Sequence, residues 1–346
     1  MVKRIKIAIQ PDKGYYSDRW IEYCEHKNYC YKLVDCYKSD IIEQLQGCTH
    51  FLWNIQFFKM KDMLFAKQLL YSIENLGIKV FPNFHTMWHY DDKIGQKYLL
   101  ESIGAPFVKT TIFYDKNQAL EWVKNASYPF VFKLTGGASS KNVKLVKSRI
   151  TAERLIKKAF SKGFNASVPS FRMKEGWRKF KKYRTLHFLR DTLAGLKNLL
   201  FPTHEQKLNK VLEKGYFYIQ DFLPGNPFDI RIFVIGKRAV AIKRMVRRND
   251  FRASGSGFVK FERKEIDERC VKIAFDVTQK LKAQALTFDF IYDQNNEPLI
   301  IEISYASVFK GYDKCDGYWD NNLNFIPGHL KAEYWMIEDL LEIDNE

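Results

Sequence analysis

Two carboxylates near the end of the chain are the residues best placed for chemistry. ALTFDFIYD (285–293) and PLIIEIS (298–304) are β-forming runs on either side of the turn-rich QNNE. With Asp293 facing Pro298 across that loop, Asp289 lies opposite Glu302, their Cβ atoms about 4.5–5.5 Å apart, where like charges repel. A cation between them relieves the repulsion. Magnesium suits the place, because it takes hard oxygen ligands and is commonly held by one or two carboxylates plus nucleotide phosphates. Ser304 falls two residues beyond Glu302 on the same face, so Asp289, Glu302 and Ser304 are the candidate metal ligands. Two carboxylates satisfied by arginines are the plainer alternative.

Lysines supply the complementary charge. Lys133 closes an otherwise apolar run, PFVFKL (129–134), where an unpaired ammonium is costly and an anionic partner is required. The following TGGASSKNV (135–143) is built mostly of small residues, and a loop of Gly136, Gly137, Ala138, Ser139 and Ser140 can lie close over phosphates. Lys93 stands at the start of a helix, where the dipole disfavours a cation and an anion would explain it better. Gln220, Asp221, Phe222 and Leu223 lie on a strand broken by Pro224 and Gly225, leaving edge donors and acceptors suited to an adenine ring. Asp229 is a candidate for ribose hydroxyls, and Arg231 and Arg244 for bidentate phosphate contacts. Snorkelling lysines and an ordinary charged hairpin are the competing explanation.

These side chains need elements to hold them. The first 85 residues alternate strand-like runs (RIKIAIQ, THFLWNI, IKVFPN) with helix-like ones (17–28, capped by Ser17 or Asp18, and 61–77), which implies a small parallel α/β domain. It has no GxGxxG turn for a dinucleotide. A helix at 91–104, a strand at 108–114, a helix at 117–126 and a hairpin around the glycine-rich loop follow. Residues 172–214 carry 12 Lys or Arg against 4 Asp or Glu, and their leucine spacing is helical. From 216 onward strands return: 216–223, a hairpin turned at Gly236, a helix at 266–283, the acidic hairpin and a helical tail at 330–346.

Composition bounds the rest. With 346 residues and roughly 100–200 per domain, two or three domains fit. Apolar types make up 46%, including 28 Phe and 19 Tyr, too much buriable surface for a disordered chain. The net charge of +16 favours acidic partners such as nucleotides, phosphorylated substrates or an anionic membrane surface. The basic 172–214 segment lacks the regular aromatic interleaving of single-strand nucleic-acid platforms, so no specific nucleic-acid partner is expected. Neither a signal-peptide core nor a transmembrane run is present, so the expected location is cytoplasmic, with peripheral membrane contact through the basic segment as a variant. Six cysteines without a CxxC pair read as reduced and mostly buried. His85 and His89 have the spacing of a shared helix face but no third ligand nearby.

In order along the chain, DDK (91–93), PFVFKLTGGASSKNV (129–143), YIQDFLPGNPFDIRIFVIG (218–236), IKRMVRRNDFRASGSG (242–257), FDFIY (288–292) and IIEIS (300–304) resemble the ATP-grasp superfamily of carboxylate-amine ligases. The likeness is greatest to its glutamate-ligase and glutathione-synthetase branch. It implies α/β plus α+β architecture: an N-terminal parallel α/β domain (1–85), a subdomain with the glycine-rich loop and basic insertion (86–215), and a second subdomain with the metal site (216–346). ATP would be gripped between the sheets of the two ATP-grasp subdomains. Lys93 and Lys133 would bind the α and β phosphates, the 136–141 loop would close over the γ phosphate, and Gln220–Leu223 would bind adenine. Asp289 and Glu302 would hold magnesium, and Mn2+ could substitute. The family's usual Asn is Ser304 here, so one or two ions are expected. SerGlySer at 254–256 also departs from the Asn-containing loop of the glutamate ligases.

The implied reaction forms an amide or peptide bond through an acylphosphate, with Arg231, Arg244 and Arg252 stabilising the transferring phosphoryl oxygens. The substrates would be a small carboxylate and an amine: an amino acid, an acidic sugar or a cell-surface glycan precursor. The basic insertion and the aromatic stretch 312–320 are candidate walls for the acceptor. A phosphotransferase acting on a polyanionic alcohol and a nucleotide-binding module without turnover are the two alternatives.

Overall fold

The structure, a computed structural model, describes residues 5–136, 143–165, 177, 186–200, 212–246, 252–253 and 257–342. The chain divides into two compact units. One comprises residues 1–57, 61–108 and 223–346, the other 58–60 and 109–222.

The first unit begins with the expected parallel sheet. Its strands are β1 (Ile7–Gln10), β2 (Tyr31–Leu33), β3 (His50–Trp53) and β4 (Lys79–Phe81), in the order β2-β1-β3-β4. β1 and β3 are buried throughout, as strands covered on both faces must be. Helices α1 (Tyr16–His26), α2 (Ile41–Gln44), α3 (Met60–Asn75) and α4 (Phe84–Met87) connect them. Neither Ser17 nor Asp18 caps α1. Tyr15 holds that position without a side-chain bond, while Ser17 Oγ exchanges hydrogen bonds with the backbone of Asp12 and Asp18 accepts from the Gly14 N–H. Helix α5 (Lys93–Ser102) is capped by Asp92, which accepts from the Gly95 N–H at 3.0 Å.

The second unit carries an antiparallel sheet of β5 (Thr110–Phe113), β6 (Phe130–Lys133), β7 (Val143–Val146) and β10 (Phe217–Asp221), in the order β5-β10-β6-β7. Helices α6 (Lys116–Trp122) and α7 (Arg149–Ala159) bury Ala119, Leu155 and Ile156 with Phe130, Phe132, Phe217 and Ile219. A two-residue ribbon of β8 (Phe164–Asn165) and β9 (Leu212–Glu213) follows α7. Within the basic segment, α8 spans Leu186–Leu200, and the exposed Leu193 and Leu196 share its outer side.

The chain then returns to the first unit to build a seven-stranded sheet. Strands β11 (Phe228–Ile235), β12 (Arg238–Met245), β13 (Val259–Lys260), β14 (Ala285–Tyr292), β15 (Pro298–Ser304), β16 (Gly317–Asp320) and β17 (Phe325–Pro327) run β15-β14-β11-β12-β16-β17, with β13 also on β12. The β11–β12 hairpin turns at Gly236, whose φ is +55° and where a Cβ would stand 2.1 Å from Asp339 Oδ2. One sheet face buries Ile230, Ile232, Val234, Leu286, Phe288 and Phe290 against α9 (Glu268–Lys280). On the other, Phe233, Ile235, Val240 and Ala285 share a core with Trp20 and Phe81 of the N-terminal segment and Met336 of α10 (Ala332–Leu340). The aromatic stretch 312–320 contributes to packing at Tyr312, which lies 5.6 Å from the Phe233 ring, and at Trp319; both are buried.

Candidate active site

Strand alternation decides which side chains meet. β11, β12, β14 and β15 pair antiparallel, so residues in register form rows across one face. One row holds Ile242, Arg231, Asp289 and Glu302 on successive strands. The row beside it on one side pairs Arg244 with Asp229, and the row on the other side contains Val240, Phe233, Thr287 and Ser304. Asp289 therefore does lie opposite Glu302. The loop register is one residue off, because Tyr292 rather than Asp293 faces Pro298. A bulge at Ile301 restores the alignment. There the segment 106–108 runs along β15, with Val108 N donating to Ile300 O and Ile300 N to Pro106 O.

The arginines engage the carboxylates directly. Arg231 donates through Nε and Nη2 to the two oxygens of Asp289 at 2.6 and 2.8 Å. Arg244 makes the same fork on Asp229 at 2.7 and 2.6 Å, and its Nη2 lies 2.9 Å from Asp289 Oδ2. Lys93 Nζ reaches Glu302 Oε1 at 3.1 Å. Lys93, Arg231 and Arg244 thus face Asp229, Asp289 and Glu302, and this network carries no net charge. Burial pushes the Asp289 carboxyl up, but Arg231 and Arg244 outweigh it and hold the group well below the usual carboxylate range. Asp229 is pushed up by burial, against the pull of Arg244 and with a further push from Asp289. Among the described residues no group of three or more His, Cys, Asp or Glu could hold a metal ion. Asp289 and Glu302 nonetheless offer hard oxygens side by side. In the next row Ser304 Oγ accepts from the Ala306 N–H, while the Thr287 hydroxyl is buried without a partner among the described residues. This all-oxygen donor set fits magnesium.

The second unit holds the other candidates. Lys133 Nζ donates to Gln220 Oε1 at 2.6 Å, and Gln220 Nε2 to Thr110 Oγ1 at 3.1 Å, because Val131 and Thr110 flank Gln220 on the neighbouring strands. Lys133 and Gln220 are buried, whereas Asp221 is exposed and Phe222 half-buried. Gly136 lies at the entrance of the glycine-rich segment. Gly137, Ala138, Ser139 and Ser140, and the 254–256 loop, lie outside the described residues. In the first unit Leu223 and Arg252 are half-buried, and Asp229, the candidate ribose contact, has both oxygens on Arg244. His89 follows α4 rather than sharing it with His85. It is fully buried, neither ring nitrogen has a partner among the described residues, and burial draws its pKa down to about 4. Thr287 gives no signal in the sequence, being hidden in an apolar alternation, and Glu213 stands out only as one of the four acidic residues within the basic 172–214 segment.

Residues 192–319 match the RimK-like ATP-grasp domain. The chain is 24% identical over 267 residues to the alpha-aminoadipate–LysW ligase LysX of Saccharolobus solfataricus, covering 77% of this chain and 78% of that protein. The LysX of Sulfurisphaera tokodaii is likewise 24% identical, over 76% of this chain and 74% of that one. Among solved structures, D-alanine–D-alanine ligase from Bacillus anthracis aligns with a TM-score of 0.57 at 13% identity over 98% of both chains. A RimK domain ATP-grasp protein from Sphaerobacter thermophilus aligns at 0.51 with 12% identity, over 86% of this chain and 90% of that one. The fold is therefore ATP-grasp, with a parallel sheet and antiparallel sheets. Within that superfamily the chain is of the carboxylate-amine ligase type, an ATP-dependent enzyme that forms carbon–nitrogen bonds. Among the described residues no helix is long and apolar enough to cross a membrane.

Proposed function

We propose that the chain activates a substrate carboxylate as an acylphosphate and passes the acyl group to an amine, with an amino acid as one of the two substrates. The observation that carries this reading is the row Arg231–Asp289–Glu302 closed by Lys93. It gathers carboxylates for a divalent ion and cations for phosphate oxygens on adjacent strands.

The chemistry needs no side-chain nucleophile. A carboxylate oxygen of the substrate attacks the γ phosphorus, the bond from that phosphorus to the bridging oxygen breaks, and ADP leaves. The amine then attacks the acyl carbon, inorganic phosphate departs, and the nitrogen gives up a proton. Asp289 and Glu302, with Ser304 beside them, would hold one or two Mg2+ ions, which when bound supply charge neutralisation at the phosphates. Arg231, partly exposed, is placed to exchange Asp289 for a phosphoryl oxygen. Arg244 is more deeply buried, and Asp229 keeps its guanidinium aimed along the row. Arg252 is the third candidate for phosphoryl oxygens. Lys133, held by Gln220, would bind phosphate oxygens, and Asp221, Phe222 and Leu223 would supply an adenine edge. Gly136, Gly137, Ala138, Ser139 and Ser140 are the residues proposed to meet the γ phosphate.

The names of the LysX relatives support an amino-acid substrate and give none to an acidic sugar, a glycan precursor or a phosphate-accepting alcohol. ADP release that requires both a carboxylate and an amine, with hydroxylamine trapping the activated acyl group as a hydroxamate, is the expected result. Stable transfer of phosphate to an alcohol, or nucleotide binding with no turnover across an amino-acid screen, would overturn it.

A further inference from the structure

Glu213 has no part in the reaction just described, yet it is tied to the strand that carries Lys133. It lies in β9 and is 7% exposed. Its carboxylate accepts the backbone N–H of Thr135 at 2.8 Å and that of Gly136 at 3.2 Å, the first residues of the glycine-rich segment. The Tyr216 hydroxyl donates to the same carboxylate and accepts from the Thr135 N–H at 2.8 Å. A buried carboxylate is tolerated only where donors surround it, and here two of the donors belong to the entrance of the loop.

The other end of this contact is equally fixed. Phe164 pairs with Glu213 and Asn165 with Leu212, so the residues that flank 166–211 lie side by side. Gly163, with φ +69°, comes so close to β9 that a Cβ would stand 2.7 Å from the Glu213 carbonyl oxygen. Gly163 N donates to Lys158 O and Gly215 N to Ala159 O, which seats the ribbon on the last turn of α7. One carboxylate therefore joins the root of the basic insertion to the root of the glycine-rich loop.

We propose that Glu213 is a positioning residue for nucleotide binding, fixing the direction in which the chain leaves β6 beyond Lys133 and coupling it to the neck of the insertion. This rests on the ATP-dependent ligase reading. Glu213→Gln keeps the shape and one acceptor oxygen but turns an amide NH2 toward donors. The expected result is a KM for ATP and a calorimetric Kd for ADP raised about tenfold, with kcat changed by less than about threefold. Hydrogen exchange at the Thr135 and Gly136 amides should accelerate in the same variant. A loss of packing alone would lower the melting temperature without shifting the Kd of the folded fraction. Unchanged Kd and KM in folded Glu213→Gln protein overturn the proposal. Should that variant not fold, Tyr216→Phe removes one donor from the same carboxylate and should weaken ADP binding about threefold, and unchanged binding there overturns it as well. Wild-type protein that binds neither ATP nor ADP would sink the ligase reading itself, whereas tight wild-type binding matched by the variant removes only the role of Glu213.

Discussion

Two halves of one sheet face put the same alternation to opposite uses. Toward the β11–β12 turn, Phe233, Ile235, Val240 and Ala285 disappear under Trp20, Phe81 and Met336. Toward the other end, the same strands present Asp229, Arg231, Arg244, Asp289 and Glu302. Where helices and the N-terminal segment cover the sheet, apolar side chains hold it. Beyond them, charges neutralise one another. A buried ion-pair network adds little stability over well-packed apolar residues of the same size. The apolar half therefore maintains the fold, and on the proposed ligase reading the charged half acts on the incoming ligand.

The sharpest break in that contrast is Glu302→Gln. Turnover should fall by at least about a thousandfold, measured as ADP release, while circular dichroism and melting stay near wild type. Retained activity would remove Glu302 from the metal site. Phe233→Ala is the mirror experiment, expected to cost about 3–5 kcal/mol in denaturant unfolding with little effect on the KM for ATP of the folded protein. His89 tests a third kind of burial, a neutral ring whose nitrogens have no partner among the described residues. Its pKa falls from 6.5 to about 4 in the folded chain, so below pH 6.5 the unfolded state takes up a proton that the native state refuses. Stability should therefore drop as the pH falls from about 6.5 to about 4, by up to about 3 kcal/mol from this group, and His89→Leu should lack that component. Smallest in energy, Lys133→Ala should weaken ATP binding by about tenfold, and calorimetry showing unchanged affinity would separate Lys133 from the nucleotide.

Much of this was legible because period two is a strong signal. The alternation in FDFIY and IIEIS placed Asp289 and Glu302 on one face, and the helix pattern of 91–104 marked α5. The pairing came out through two compensating departures, a one-residue shift of register at the hairpin loop and a bulge at Ile301. Neither could be read locally, because the bulge depends on residues 106–108 lying alongside β15. Arginines satisfying the carboxylates were the plainer alternative in the sequence, but which arginines they are was illegible for a related reason. Arg231 and Arg244 looked like phosphate ligands on their own strands, and only the strand order brings both to Asp289. The short elements β2, α2, β16 and β17 left too few residues for a period to show. Gln220 was read with its neighbours as an adenine edge, while its side chain points between Lys133 and Thr110, a direction set by strands distant in sequence.

The ribbon formed by Asn165 and Leu212 brings the two ends of residues 166–211 to adjacent positions. A short turn grafted between these partners would therefore close the hairpin without lengthening either strand. The stretch between them could then be shortened or replaced while Asn165 and Leu212 keep their pairing.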